Sequence, residues 1–204
     1  MAAARQAMEL GDVAKARSSL KEALEMAPED KNLRWEIAGQ LTRLGDLTGA
    51  VDQYQALIRQ DPNHVSARVK LGRIFLLTGK IAQADVLVKE ALGFMPDNVE
   101  AMVLQGEILA AQNNSDGAFV QAEAAVNKKP EDLDANILLA SLYAKTGKID
   151  RAVSVLNDLL SKQPGATSAR IILASIYAKT QQFDKTEQTL TAIITQEPDR
   201  KSVV

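Results

Sequence analysis

The chain has 204 residues, 46% of them hydrophobic and 25% charged, a composition that builds a buried core rather than a disordered chain. A formal net charge of −2 leaves no basic footprint for nucleic acid, and no apolar run approaches the roughly 20 residues that span a bilayer. Cysteine is absent, which removes disulfides and thiolate chemistry, and only 4% of residues are aromatic, so Ala, Leu, Ile and Val must supply the packing.

Lack of cysteine suits a reducing cytosol and an oxidising periplasm equally. The opening stretch MAAARQAMELGD has neither the basic head nor the long apolar stretch of a signal peptide, and it reads as the tail of a helix. From there the chain divides into blocks, each with two segments of helical apolar spacing. Block one, residues 1–30, holds a shortened first helix to about Leu10 and a second from Val13 to Ala27. Blocks at 31–64, 65–98, 99–132, 133–166 and 167–200 follow, and 201–204 is a stub. Counting back from Pro28 places the start of block one four residues ahead of Met1. The chain is therefore expected to be cut from a longer protein, with Met1 an added start. Block five is the most regular. Ile137, Leu139, Ala140, Leu142 and Tyr143 pattern its first helix, and Ile149, Ala152, Val153, Val155, Leu156, Leu159 and Leu160 its second. Asp116, Asp150 and Asp184 stand at the starts of second helices, where a carboxylate is expected to cap free amides.

All six prolines recur in step: Pro28, Pro62, Pro96, Pro130, Pro164 and Pro198 are each 34 residues after the last. Gly11, Gly45, Gly79 and Gly147 lie 17 residues before a proline, in a slot that Asn113 and Gln181 fill in blocks four and six. Gly frees the turn for a left-handed residue, Asn tolerates it, and Gln181 is expected to weaken it. Ala16, Ala50, Ala84, Ala118 and Ala152 form a small-residue frame 12 before the first five prolines, with Thr186 in that place in block six, and Ala38, Gly72, Gly106, Ala140 and Ala174 form another 24 before a proline. Small residues at these frames let helices cross closely. Self-similarity at this period signals stacked helical hairpins that share a core with their neighbours.

These frames resemble the tetratricopeptide repeat family. Leu139, Ala140, Tyr143, Gly147, Ala152, Leu156, Leu159 and Pro164 match its pattern in block five. The family's tryptophan near the start of the first helix is missing, its place held by Arg34, Arg68, Met102, Asn136 and Arg170. The resemblance implies an all-α fold, a right-handed superhelical α-solenoid of stacked antiparallel helix pairs, running as a single array over residues 1–200. It implies a concave groove lined by first helices. The family's groove positions fall on Trp35 and Arg43 in block two, on Val69, Arg73 and Leu76 in block three, and on Val103 and Glu107 in block four. In block five they fall on Ile137, Ser141 and Lys145, and in block six on Ile171, Ser175 and Lys179. Trp35, Val69, Val103, Ile137 and Ile171 would draw an apolar strip beside Arg43, Arg73, Glu107, Lys145 and Lys179, suited to an extended or helical peptide. On that reading Arg73→Glu with Val103→Asp removes binding and spares the fold. The Lys and Asn positions that clamp chaperone tails elsewhere in the family hold Trp35 and Gly39, Val69 and Arg73, or their counterparts, so that signature is absent.

Chemistry finds little footing. His64, the only histidine, sits two residues after Pro62 and reads as an exposed turn residue. No Gly-x-Ser-x-Gly elbow or phosphate-cradling loop occurs. The expectation is a non-enzymatic protein–protein interaction module. It would hold a peptide or protein segment in its groove and scaffold a larger complex, by analogy a bacterial envelope, pilus, secretion or exopolysaccharide export system. No cofactor, metal, nucleic acid or membrane insertion is expected in this stretch. Block six is the weakest, with Phe183, Leu190, Ile193 and Ile194 on a face left partly open. Two alternatives remain: a self-assembling repeat that forms homo-oligomers through its open ends, and an accessory domain of a larger enzyme.

Overall fold

The computed structural model describes residues 1–196 and shows twelve α-helices and no strand among them. Pro198 and the stub 201–204 lie outside the described residues. The chain forms two compact units, Met1–Pro96 and Asp97–Val204. The first unit holds α1 (Ala2–Glu9), α2 (Val13–Met26), α3 (Lys31–Arg43), α4 (Leu47–Gln60), α5 (Val65–Leu77) and α6 (Ile81–Phe94). The second holds α7 (Val99–Ala111), α8 (Ser115–Lys128), α9 (Leu133–Lys145), α10 (Ile149–Lys162), α11 (Thr167–Lys179) and α12 (Phe183–Gln196). Successive helices pack in pairs, odd against even, and each even helix then packs on the next odd one within its unit. In the second unit the odd helices α7, α9 and α11 also touch one another in sequence.

One left-handed residue makes each hairpin. Gly11, Gly45, Gly79 and Gly147 have φ between 72° and 76°, and Asn113 and Gln181 take the same conformation at 61° and 60°. The amide after each of them donates back across the turn, as Lys148 does to the Tyr143 carbonyl at 2.8 Å and Gln182 to Tyr177 at 2.9 Å. This closes the last orphan carbonyls of the first helix. Gln181 therefore holds the hairpin of block six as fully as Gly does. It does so in a conformation that costs an L side chain about 1–2 kcal/mol.

Helix starts differ from the sequence expectation. Asp116, Asp150 and Asp184 lie in the first turns of α8, α10 and α12, where they meet the positive end of the helix dipole. Side-chain capping of the second helices comes two residues earlier in the repeat, from Asp12, Asp46 and Asn114, whereas Lys80 and Lys148 make no such bond. First helices are capped in their own frame by Asp30, His64, Asn98 and Asp132. His64 is thus not an exposed turn residue but a half-buried cap, its Nδ1 accepting the Ala67 amide at 3.2 Å.

The core is built at the crossings. Ala16, Ala50, Ala84, Ala118 and Ala152 are all fully buried. Around Ala152, the side chains of Ala140, Leu156, Leu159, Leu173, Ile176 and Tyr177 close one cluster from α9, α10 and α11. The frame that lacks tryptophan has polar side chains reaching back to the preceding boundary. Asn136 Nδ2 donates to the Pro130 carbonyl at 3.0 Å, and Arg34 donates to the Pro28 carbonyl and, at 2.6 Å, to Gln53. Arg68 is buried, paired with Glu90 at 2.9 Å and set 5.0 Å over the Phe94 ring.

Two stability changes follow. Ala152→Leu overpacks a crossing that has no free space and should cost about 1–3 kcal/mol in urea titration. Gln181→Gly relieves the left-handed side chain and, after the larger chain entropy of Gly is counted, should stabilise by about 0.5–1 kcal/mol. An unchanged midpoint for either variant contradicts the packing or the turn that predicts it.

Candidate functional site

First helices present their residues differently in the two units. In the first unit, Trp35 is half-buried. Its ring stacks on His64 with centroids 5.3 Å apart and meets the Tyr54 ring edge-on at 5.6 Å. The ring therefore ties α3 to α4 and to the cap of α5. Val69 on α5 is fully buried, and Arg73 and Leu76, one and two turns on, are half-buried. Arg43, in the last turn of α3, is exposed and borders a polar concavity of about 650 Å³ between α1 and α3. Across it Arg5 and Glu36 form an ion pair at 2.5 Å. The hydrogen bond it donates to the Glu36 carboxylate, and then the charge of Glu36, hold the Arg5 guanidinium above its usual range.

In the second unit, Val103 on α7 is 1% exposed, covered by Leu138, Leu139 and Leu142 of α9. Glu107 is half-buried. Ile137 on α9 is half-buried against the cluster that includes Leu173 and Ile176 of α11. Ile171 on α11 is 51% exposed. The five apolar positions are consequently not one exposed strip. A residue in this frame is roofed by the following first helix, as Val103 is by α9. Among the described residues none follows α11, which leaves Ile171 open.

One turn further along, the structure brings four of the expected residues together. Ser141 and Lys145 of α9 face Ser175 and Lys179 of α11 across a concavity of about 410 Å³. Ala144, Ile149, Ile172, Ile176 and Thr180 complete its wall, which contains no carboxylate. Lys145 and Lys179 are exposed. The Lys145 ammonium reaches only the Ala110 carbonyl, at 3.5 Å. Neither serine hydroxyl nor the Lys179 ammonium has a hydrogen-bond or ion-pair partner among the described residues.

A feature the sequence did not suggest lies on the other side of the first unit. Ile58, Leu71, Phe75, Val86 and Leu87, with Gln55, Arg59, Ala82 and Gln83, line an apolar concavity of about 550 Å³ among α4, α5 and α6. Spacing within one block does not encode it, because the exposure of Val86 on a second helix is set by neighbouring helices. No group of side chains that could hold a metal ion occurs among the described residues, and no described helix is long and apolar enough to cross a membrane.

Two sequence profiles of the tetratricopeptide repeat match the chain, one over residues 1–64 and one over residues 41–102 and 109–168. The chain belongs to the tetratricopeptide repeat family. No curated protein matches it by sequence. Solved structures with this fold are similar at low identity. The thermophilic protein TTC0263 of Thermus thermophilus superposes with a TM-score of 0.72 at 20% identity, covering 86% of this chain and 95% of that one. A tetratricopeptide repeat protein of Parabacteroides merdae gives 0.71 at 18%, covering 94% and 76%. YrrB, described as having an unusual peptide-binding site, gives 0.55 at 21%, covering 88% and 93%. As a family, tetratricopeptide repeats mediate protein–protein interaction, with proteins or peptides as partners.

The burial of Val103 revises the test that the sequence suggested. Val103→Asp places a carboxylate in a closed apolar cluster and should destabilise the second unit by roughly 3 kcal/mol or more, so it cannot serve as a surface mutation. A Val103→Asp protein with wild-type urea stability contradicts the burial.

Proposed function

We propose that the first-helix face of the repeats holds a segment of a partner protein and fixes it within a larger assembly, without chemistry of its own. One observation carries this reading. Ser141, Lys145, Ser175 and Lys179 leave polar groups unused at one concavity, beside exposed Ile171. Side chains that only packed a solenoid would have no need of free hydroxyls and ammoniums around an aliphatic floor. Such a mixture of apolar contact and a few placed polar groups is how peptide grooves are built. The peptide-binding site of YrrB, on a similar fold, supports the same use of the repeats. By analogy the setting is bacterial assembly, in the envelope, a pilus, a secretion system or exopolysaccharide export.

A second reading has one observation behind it. Phe183, Leu190 and Ile194 of α12 are 68%, 43% and 53% exposed, an apolar face that a second copy could cover. Sedimentation across a wide concentration range decides it: a constant monomer removes self-assembly, and concentration-dependent growth abolished by Ile194→Glu supports it.

For the groove, a photo-crosslinking residue at Ser175 should capture the natural partner in the source cell. The same residue at Ser154, exposed on the second helix α10, should not. Capture from Ser154 alone, or equally from both, overturns the groove.

A further inference from the structure

We infer that the concavity between α9 and α11 is an acidic-residue subsite, taking the side-chain carboxylate of a glutamate or aspartate next to an aliphatic residue of an extended partner segment. This rests on the groove reading above and names the chemistry of what the groove takes. Lys145 and Lys179 occupy the same place in consecutive repeats, in the last turns of α9 and α11, and both border the one concavity. Each ammonium also sits at the negative end of its own helix, which holds it there as a cation. Lys145 has only a long bond to the Ala110 carbonyl, and Lys179 has no partner among the described residues. Both are free to close on an incoming anion.

The wall favours a carboxylate over other groups. It contains no acid of its own that would neutralise the lysines, and the carboxylates nearest in sequence, Asp150 and Asp184, are exposed in the first turns of α10 and α12. Ser141 and Ser175 add two hydroxyl donors without competing partners, so a two-oxygen anion can be bonded from both helices. Ile172 and Ile176 form an apolar floor that suits a neighbouring aliphatic side chain. Partial enclosure keeps the ion pairs from being screened as completely as they are on an open surface.

The probe is a fluorescein-labelled peptide of alternating leucine and glutamate, acetylated and amidated so that its only carboxylates are side chains. Its control carries glutamine in place of glutamate. Anisotropy with the full chain should show the glutamate peptide binding about tenfold more tightly than the control, and more weakly as salt is raised. Amide shifts in the protein should concentrate in residues 141–149 and 172–180. The double variant Lys145→Gln/Lys179→Gln should lose that preference. The variant Lys31→Gln/Lys162→Gln has the same net charge but exposed lysines outside the concavity, and it should keep it. Equal binding of the two peptides overturns the subsite, as does an equal loss in both lysine variants. If the acidic peptide fails while crosslinking at Ser175 still captures the partner, the groove stands and only its acidic preference falls. If both fail, the groove reading falls with it.

Discussion

At the helix crossings of the first five repeats the space between two backbones is filled by little more than a methyl group. Ala16, Ala50, Ala84, Ala118 and Ala152 have no surface left, and larger side chains there would push the helices apart. Close crossing is what lets leucines and isoleucines from successive helices meet, as Leu156 of α10 does with Leu173 and Ile176 of α11 around Ala152. It also explains why a chain with so few aromatic residues can build a core. Short side chains set the spacing, and branched ones fill it. The left-handed residue at each hairpin keeps the two helices in the register that places alanine at the crossing.

The same stacking decides which side chains meet solvent. A first-helix residue in the frame of Val103 disappears beneath the next first helix, and the equivalent Ile171 stays open because no described first helix lies beyond it. Residues one and two turns along, in the frames of Ser141 and Lys145, border a hollow instead. Function in such an array comes from the positions the core does not claim. The repeat can vary them without disturbing its alanines and turn residues. The polar groups gathered at α9 and α11 are donors and cations arranged over an aliphatic floor.

Backbone constraints were the most legible part of the sequence. Pro28 to Pro164, the turn residues and the buried alanines recur at one place per repeat, so the two helices of block one can be placed almost to their ends. Asn113 takes the turn conformation its residue type favours, and Gln181 takes it too because neighbouring hydrogen bonds can hold a side chain in a strained conformation that propensity disfavours. The caps of the first helices form a frame of their own, Asp30, His64, Asn98 and Asp132, distinct from the first-turn carboxylates of the second helices. Burial of Val69 and Val103 was beyond the pattern of one block. It depends on what lies over the helix, which spacing along a single helix does not encode. The gathering of Ser141, Lys145, Ser175 and Lys179 was legible position by position. What the sequence could not supply was that one hollow unites them.

The ring stack of Trp35 on His64 has a practical consequence. The chain's sole indole lies in the unit Met1–Pro96, wedged against the cap of α5 and the Tyr54 ring. Its emission is therefore a private optical reporter of that unit, quenched or released as the imidazole beside it moves. The unit beginning at Asp97 is dark at the same wavelength, so comparing emission with helical circular dichroism separates the melting of one from that of the other.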